Sequence, residues 1–183
     1  MNFIKNKTLY IIAGLLLIFI LVAADQFTKY LAVSRLMEKD SFWLIKDVLC
    51  FQYLENTGAA FSMLEGKMLF FYILTPVIVL AMFWGFIKMF NAEKFGPLQL
   101  ILIFVIAGAI GNYIDRVRLS YVVDFIYFVP INFPIFNVAD IYVTVSVFVL
   151  VFLIIFYYKD EDFERIGFGK KKSGNEKSDD KEV

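Results

Sequence analysis

The chain of 183 residues has no histidine, one cysteine (Cys50), four prolines and two tryptophans. Without histidine, a His-ligated zinc site, a Ser-His-Asp triad and a Cys-His pair are excluded. A single cysteine excludes an intramolecular disulfide. Net charge is absent too, because 18 basic and 18 acidic residues cancel, so no bulk field supports a nucleic-acid partner. The chain does have apolar surface in excess. It is 60% hydrophobic with a mean hydropathy of +0.70, whereas soluble domains are about 45–50% apolar. That composition is that of an integral membrane protein.

Apolar runs predict four transmembrane helices at about 9–24, 68–87, 97–114 and 141–158. The first run would span roughly 24 Å as a helix, short of a hydrocarbon core of about 30 Å unless its neighbours extend it. Its basic start (Lys5, Lys7) and small-residue end also fit a secretory signal peptide, but three further spans favour a retained helix. Asp25 and Lys29 stand four apart on one helix face, as an ion pair at the membrane edge or as part of a site. Val48 to Phe61 suggests a strand running into a turn at Asn56-Thr57-Gly58. Pro76 is expected to kink the second span, and Pro97 to open the third. Gly108 and Gly111 form a small-residue stripe suited to close approach of a neighbouring helix. Residues 118–134, interrupted by Pro130 and rich in aromatics, read as amphipathic or irregular. Asn137 precedes Asp140 by three, the spacing of an N-cap and a first-turn acid. The expected fold is therefore mainly α: a polytopic membrane protein with a small extracytoplasmic β-rich segment. Residues 1–158 form one membrane-embedded domain, and 159–183 a charged tail expected to be disordered apart from an interfacial start.

Eleven of the 18 Lys and Arg fall on the side of the two termini and the 88–96 loop, which orients both termini to the cytoplasm. Asp25, Asn56, Asp115, Arg116, Asp124 and Asp140 then converge on the outer side. Ionisable groups at the edge of hydrocarbon are costly, and they point to function by default. The stretch GAIGNYIDRVRLSYVVD and the nearby FNVAD supply acids for a hydrolase in which one carboxylate activates water while a second, protonated one engages a carbonyl. Asp124 pairs with Asp140 in one arrangement, and Asp115 joins the pair in another. The adjacent Arg116 favours a permanently ionised, structural Asp115, but spacing alone leaves both pairings open. Ser62 and Lys67 offer a weaker Ser-Lys alternative. From a different class, a small proton-coupled transporter or channel subunit would use the same acids to carry protons.

Four blocks then stand in order: DQFTK at Asp25–Lys29, ENTGAAFSM at Glu55–Met63, GNYIDRVRLSYVVDF at Gly111–Phe125 and FNVAD at Phe136–Asp140. With these, the chain resembles the bacterial lipoprotein signal peptidases, the signal peptidase II family. The resemblance implies an aspartyl endopeptidase of the bacterial cytoplasmic membrane with Asp124 and Asp140 as catalytic dyad. It implies Asn56, Asn112, Arg116 and Asn137 as substrate-binding residues, with Asp25, Lys29, Gly58 and Asp115 in support. Substrates would be prolipoproteins carrying a diacylglyceryl group on the lipobox cysteine, cut on its N-terminal side near the outer leaflet. The enzyme would work among membrane lipids as a monomer, with neither metal nor organic cofactor. Ser120, where the family pattern usually has glycine, and Ile141, where a small or hydroxyl residue is common, depart from that pattern.

Overall fold

The computed structural model describes residues 6–58 and 68–165. Four helices long and apolar enough to cross a membrane dominate it: α1 (Lys7–Leu36), α2 (Met68–Lys88), α3 (Gly96–Leu119) and α4 (Val138–Phe156). A three-stranded antiparallel sheet lies at one end, in the order β1 (Phe42–Ile45), β2 (Leu49–Asn56), β3 (Val122–Phe128). A short helix, α5 (Asp160–Arg165), follows α4. The chain is a multi-pass membrane protein. Its outward faces suit lipid as solvent: Leu69, Phe148 and Phe156 are each at least 70% exposed.

Local chemistry explains where the helices begin and end. The Asn6 side chain accepts from the Thr8 amide at 2.9 Å and opens α1, as an N-cap should. Pro97 sits in the first turn of α3, where its missing N–H has no intrahelical partner to lose. Pro76 lies inside α2. Helix α3 closes at Ser120, whose φ of 66° is left-handed. This conformation favours glycine, the residue that the resemblance leads one to expect at this position. Asn137 and Asp140 form a reciprocal capping box at the start of α4.

Helix α3 is the hub and packs against α1, α2 and α4. Ile18, Phe86, Ile103, Ile106 and Ala107 form the core shared by α1, α2 and α3. Along α3, glycines allow unusually close contact. A Cβ at Gly108 would stand 2.6 Å from the Ala139 carbonyl oxygen of α4, and one at Gly111 would stand 2.5 Å from Asp25 Oδ2 of α1. The sheet packs on the second half of α1 through Ala32, Val123 and Phe125.

Two expectations need correction. The first helix does not stop at Ala24 but continues to Leu36, because Asp25 and Lys29 find buried partners and so need not mark a membrane edge. Residues 118–134 are not irregular throughout. Val122–Phe128 pairs with β2 as a strand, and Pro130 falls in the following turn, Val129–Ile131, rather than in the ladder. The interfacial start allowed for the tail is helical, and Lys94 Nζ meets Asp162 Oδ2 there at 2.5 Å. Ser62, Lys67 and the remainder of the tail lie outside the described residues.

Candidate active site

The site rests on an ion cluster between α1 and α3. Asp25 and Lys29, one turn apart on α1, are 0% and 3% exposed. The Lys29 ammonium reaches Asp25 Oδ2 at 2.9 Å and Asp115 Oδ2 at 3.0 Å. A buried cation between two buried anions holds only if the remaining lone pairs are also satisfied. They are. Asp25 Oδ1 accepts from the Ala139 amide at 3.0 Å, and Asp115 Oδ2 accepts from the Val123 amide at 3.1 Å. Gln26 Nε2 donates to Asp115 Oδ1 at 2.9 Å and to the Gly111 carbonyl at 3.1 Å. The cluster therefore ties α1 to α3, to the first turn of α4 and to the start of β3. Asp115 takes its cation from Lys29, not from the neighbouring Arg116, since adjacent helical side chains diverge. Gln26 was not singled out in the sequence, and its place inside DQFTK was the available signal.

From this base Lys29 Nζ also donates to Asn112 Oδ1 at 2.8 Å. Lysine has no acceptor, so this contact fixes the amide: oxygen toward Lys29, nitrogen toward Asp140. Asn112 Nδ2 accordingly donates to Asp140 Oδ1 at 2.8 Å. Asn137 completes the arrangement. Its backbone amide donates to Asp140 Oδ2 at 3.1 Å, and its side-chain nitrogen donates to Asp124 Oδ1 at 2.6 Å and to Asn112 Oδ1 at 3.0 Å. One residue thus bridges the two carboxylates, Asp124 on β3 and Asp140 on α4. The other oxygen of Asp124, Oδ2, accepts from Asn56 Nδ2 at 2.8 Å. Asn56 is in turn held by an Asx turn, because its Oδ1 accepts from the Gly58 amide at 2.9 Å.

Asp124 is 1% exposed. Burial, and next the charge of Asp140, push its carboxyl up to about 7, against the opposing donors Asn56 and Asn137 and the charge of Lys29. A carboxyl held there exchanges its proton near neutrality. Arg116 forms another wall. Its Nη2 donates to the Gly58 carbonyl at 3.0 Å, its guanidinium lies 4.3 Å from the Phe71 ring centroid, and Tyr72 donates to its carbonyl at 2.9 Å. Its buried Nε has no partner among the described residues. Phe71 and Tyr72 were not anticipated; both lie in a continuous apolar run where nothing distinguishes a ring that holds arginine from one that faces lipid.

All ten residues marked by the sequence, Asp25, Lys29, Asn56, Gly58, Asn112, Asp115, Arg116, Asp124, Asn137 and Asp140, thus belong to one connected network. Ser120 and Ile141 stand beside it, and Ile141 is 39% exposed.

Comparison with known proteins identifies the family. The family model for signal peptidase (SPase) II matches residues 17–156. A lipoprotein signal peptidase from Enterococcus faecalis is 45% identical over 137 residues, covering 74% of this chain and 84% of the relative. One from Caldanaerobacter subterraneus is 43% identical over 144 residues, covering 78% and 96%. A bacterial membrane enzyme solved by the in meso method at 2.3 Å superposes with a TM-score of 0.70 at 34% identity, covering 88% of this chain and 94% of that one. With one family model spanning its helices, relatives this similar over most of their length and a matching solved fold, the chain belongs to the signal peptidase II family.

Proposed function

We propose that this peptidase is an aspartyl endopeptidase that removes the signal peptide from diacylglyceryl-modified prolipoproteins, with Asp124 and Asp140 as its catalytic dyad. Membership of the family supports the substrate class and disfavours the transporter alternative. The observation that carries the dyad is the Asn137 bridge, which ties both carboxylates into one polar network. Asp115 is a poorer candidate because Gln26 holds one of its oxygens while Lys29 and the Val123 amide hold the other.

We place the proton of the pair on Asp124, whose carboxyl is pushed up to about 7 by burial and then by the charge of Asp140. Asp140, at the N-terminal, positive end of α4, acts as the base. It takes a proton from water as the oxygen attacks the scissile carbonyl carbon, while Asp124 gives its proton to the carbonyl oxygen. The resulting gem-diol collapses. Asp124 recovers a proton from a hydroxyl, Asp140 passes its own to the departing amine, and the C–N bond breaks. The products are a signal peptide with a free carboxylate and a lipidated cysteine with a free amine. Asn56, Asn112, Asn137 and Arg116 line the substrate path, with the unpartnered Arg116 Nε available to a substrate carbonyl. The enzyme sits as a monomer in the bacterial cytoplasmic membrane, both termini inside, with the dyad near the outer leaflet.

The test uses purified enzyme in detergent with a diacylglyceryl-modified prolipoprotein, following signal-peptide release. Asp124→Asn and Asp140→Asn are each expected to lose about 10³-fold or more in turnover while still folded and still binding substrate. Asp115→Asn is expected to lower stability but keep measurable turnover. An Asp124→Asn enzyme with near wild-type turnover would overturn the dyad.

A further inference from the structure

At the end of the helices opposite the acids, Lys7 on α1 and Lys88 on α2 line a recess of about 460 Å³ together with Trp84, Ile87, Phe90 and Asn91. The first turns of α1 and the last turns of α2 are locked together beside it. Tyr10 stacks on Phe86 with centroids 4.6 Å apart, donates its hydroxyl to the Phe86 carbonyl at 3.1 Å, and packs 5.1 Å from Phe90. A Cβ at Gly14 would stand 2.5 Å from the Phe86 ring, so glycine lets the two helices close here. The walls of the recess are therefore held in a fixed relation by packing that the ion cluster does not share.

The lining is cationic and aromatic. Lys7 and Lys88 are both exposed, one from each helix, and no carboxylate is among the described lining residues. The Lys88 ammonium lies 4.9 Å from the Trp84 ring centroid, and Asn91 adds an amide. From Trp84 an apolar stripe runs back along α2 at helical spacing: Trp84, Leu80, Val77 and Ile73, exposed by 57%, 68%, 58% and 61%. Two ammonium groups at the mouth suit a phosphate anion, because lysine binds phosphate as a point charge. Tryptophan and lysine belong at the membrane–water boundary, and basic pockets between transmembrane helices suit anionic headgroups. A soluble phosphate would use the lysines but leave the stripe without a role. A phosphoglyceride uses both.

We propose that this recess binds the phosphate headgroup of an anionic phosphoglyceride, with an acyl chain lying along the Ile73–Trp84 stripe of α2. The test uses the full chain in detergent, carrying Trp43→Phe so that Trp84 is the sole tryptophan. Phosphatidylglycerol is expected to change Trp84 emission saturably, and phosphatidylcholine not to. Adding Lys7→Gln and Lys88→Gln should weaken the phosphatidylglycerol response about ten-fold or more, while thermal stability and prolipoprotein cleavage stay at wild-type values. An equal response to phosphatidylcholine, or an unchanged affinity in the double lysine variant, would overturn the proposal. Saturation by inorganic phosphate alone would overturn it as well, assigning the lysines to a soluble anion.

Discussion

Asp124 stands between influences of opposite sign. Burial and the neighbouring charge of Asp140 hold its proton on, while donors from Asn56 and Asn137 and the charge of Lys29 draw it off, leaving the carboxyl at about 7. The working form of the proposed dyad has one proton, so activity falls on the alkaline side as the second carboxyl ionises. The apparent values belong to the pair. Asn56 bonds to Asp124 at 2.8 Å, which stabilises the charged form. Removing that donor in Asn56→Ala favours the protonated form, so the alkaline limb of the rate profile should move to higher pH. A charge-assisted hydrogen bond is worth about 1.5–3 kcal/mol, and one pKa unit is about 1.4 kcal/mol, so a shift of about one to two units is expected, with the acid limb moving less. The measurement is kcat/KM against pH for both enzymes. An alkaline limb that stays in place or moves down would show that Asn56 does not tune Asp124. At this scale the sequence was informative wherever a polar residue interrupted apolar surroundings. It was uninformative about partners: the cation beside Asp115 is Lys29, far away in the chain, and spacing favoured Arg116.

The elements bring these residues together through two tight features of α3. Its end turns through Ser120 at φ 66°, a conformation that costs a non-glycine residue about 1 kcal/mol. Ser120→Gly should therefore stabilise the protein by about 0.5–1 kcal/mol with turnover unchanged, as read by thermal unfolding in detergent and the cleavage assay. A loss of stability would mean that the serine side chain makes a compensating contact. Its middle passes so close to α4 that a Cβ at Gly108 would meet the Ala139 backbone oxygen at 2.6 Å and Val143 Cγ2 at 2.8 Å. Backbone cannot rotate away, so Gly108→Ala must push α4 outward, at a cost of about 1–3 kcal/mol. Because α4 carries Asn137 and Asp140 while α3 carries Asn112, turnover should fall along with thermal stability. Wild-type values of both would show that the helices have slack. The four helices and the capping box were legible from hydropathy and from the Asn137–Asp140 spacing, both local signals. Strand β3 was not, because Val122–Phe128 becomes a strand by pairing with β2, more than sixty positions earlier, whereas β2 itself could be read as a strand from its aromatic and apolar run before the turn at Asn56. The length of α1 was missed for the same reason: Asp25 looks like a terminus until its partners on α3 and α4 are known.

At the scale of the whole molecule, the site and the lysines that flank the other ends of the spans lie apart. The network of Asp25, Lys29, Asp115, Asp124 and Asp140 lies at the end of the helices that carries the sheet. The other end gathers Lys7, Lys88 and Lys94, with Asp162 folded back onto Lys94. Basic residues flanking spans are retained in the cytoplasm, so the second end should face inward and place the dyad outside, where a precursor's lipidated cysteine would meet it. This can be read directly in cells. In a Cys50→Ser background that leaves no native thiol, Asp40→Cys and Asn91→Cys each place one cysteine at an exposed position, before the sheet and between α2 and α3. A membrane-impermeant maleimide applied to intact cells or spheroplasts should label the first and not the second until the membrane is broken. The reverse pattern would turn the site toward the cytoplasm, on the wrong side for the proposed substrate, and would require the dyad to be reconsidered even if the purified enzyme cleaves.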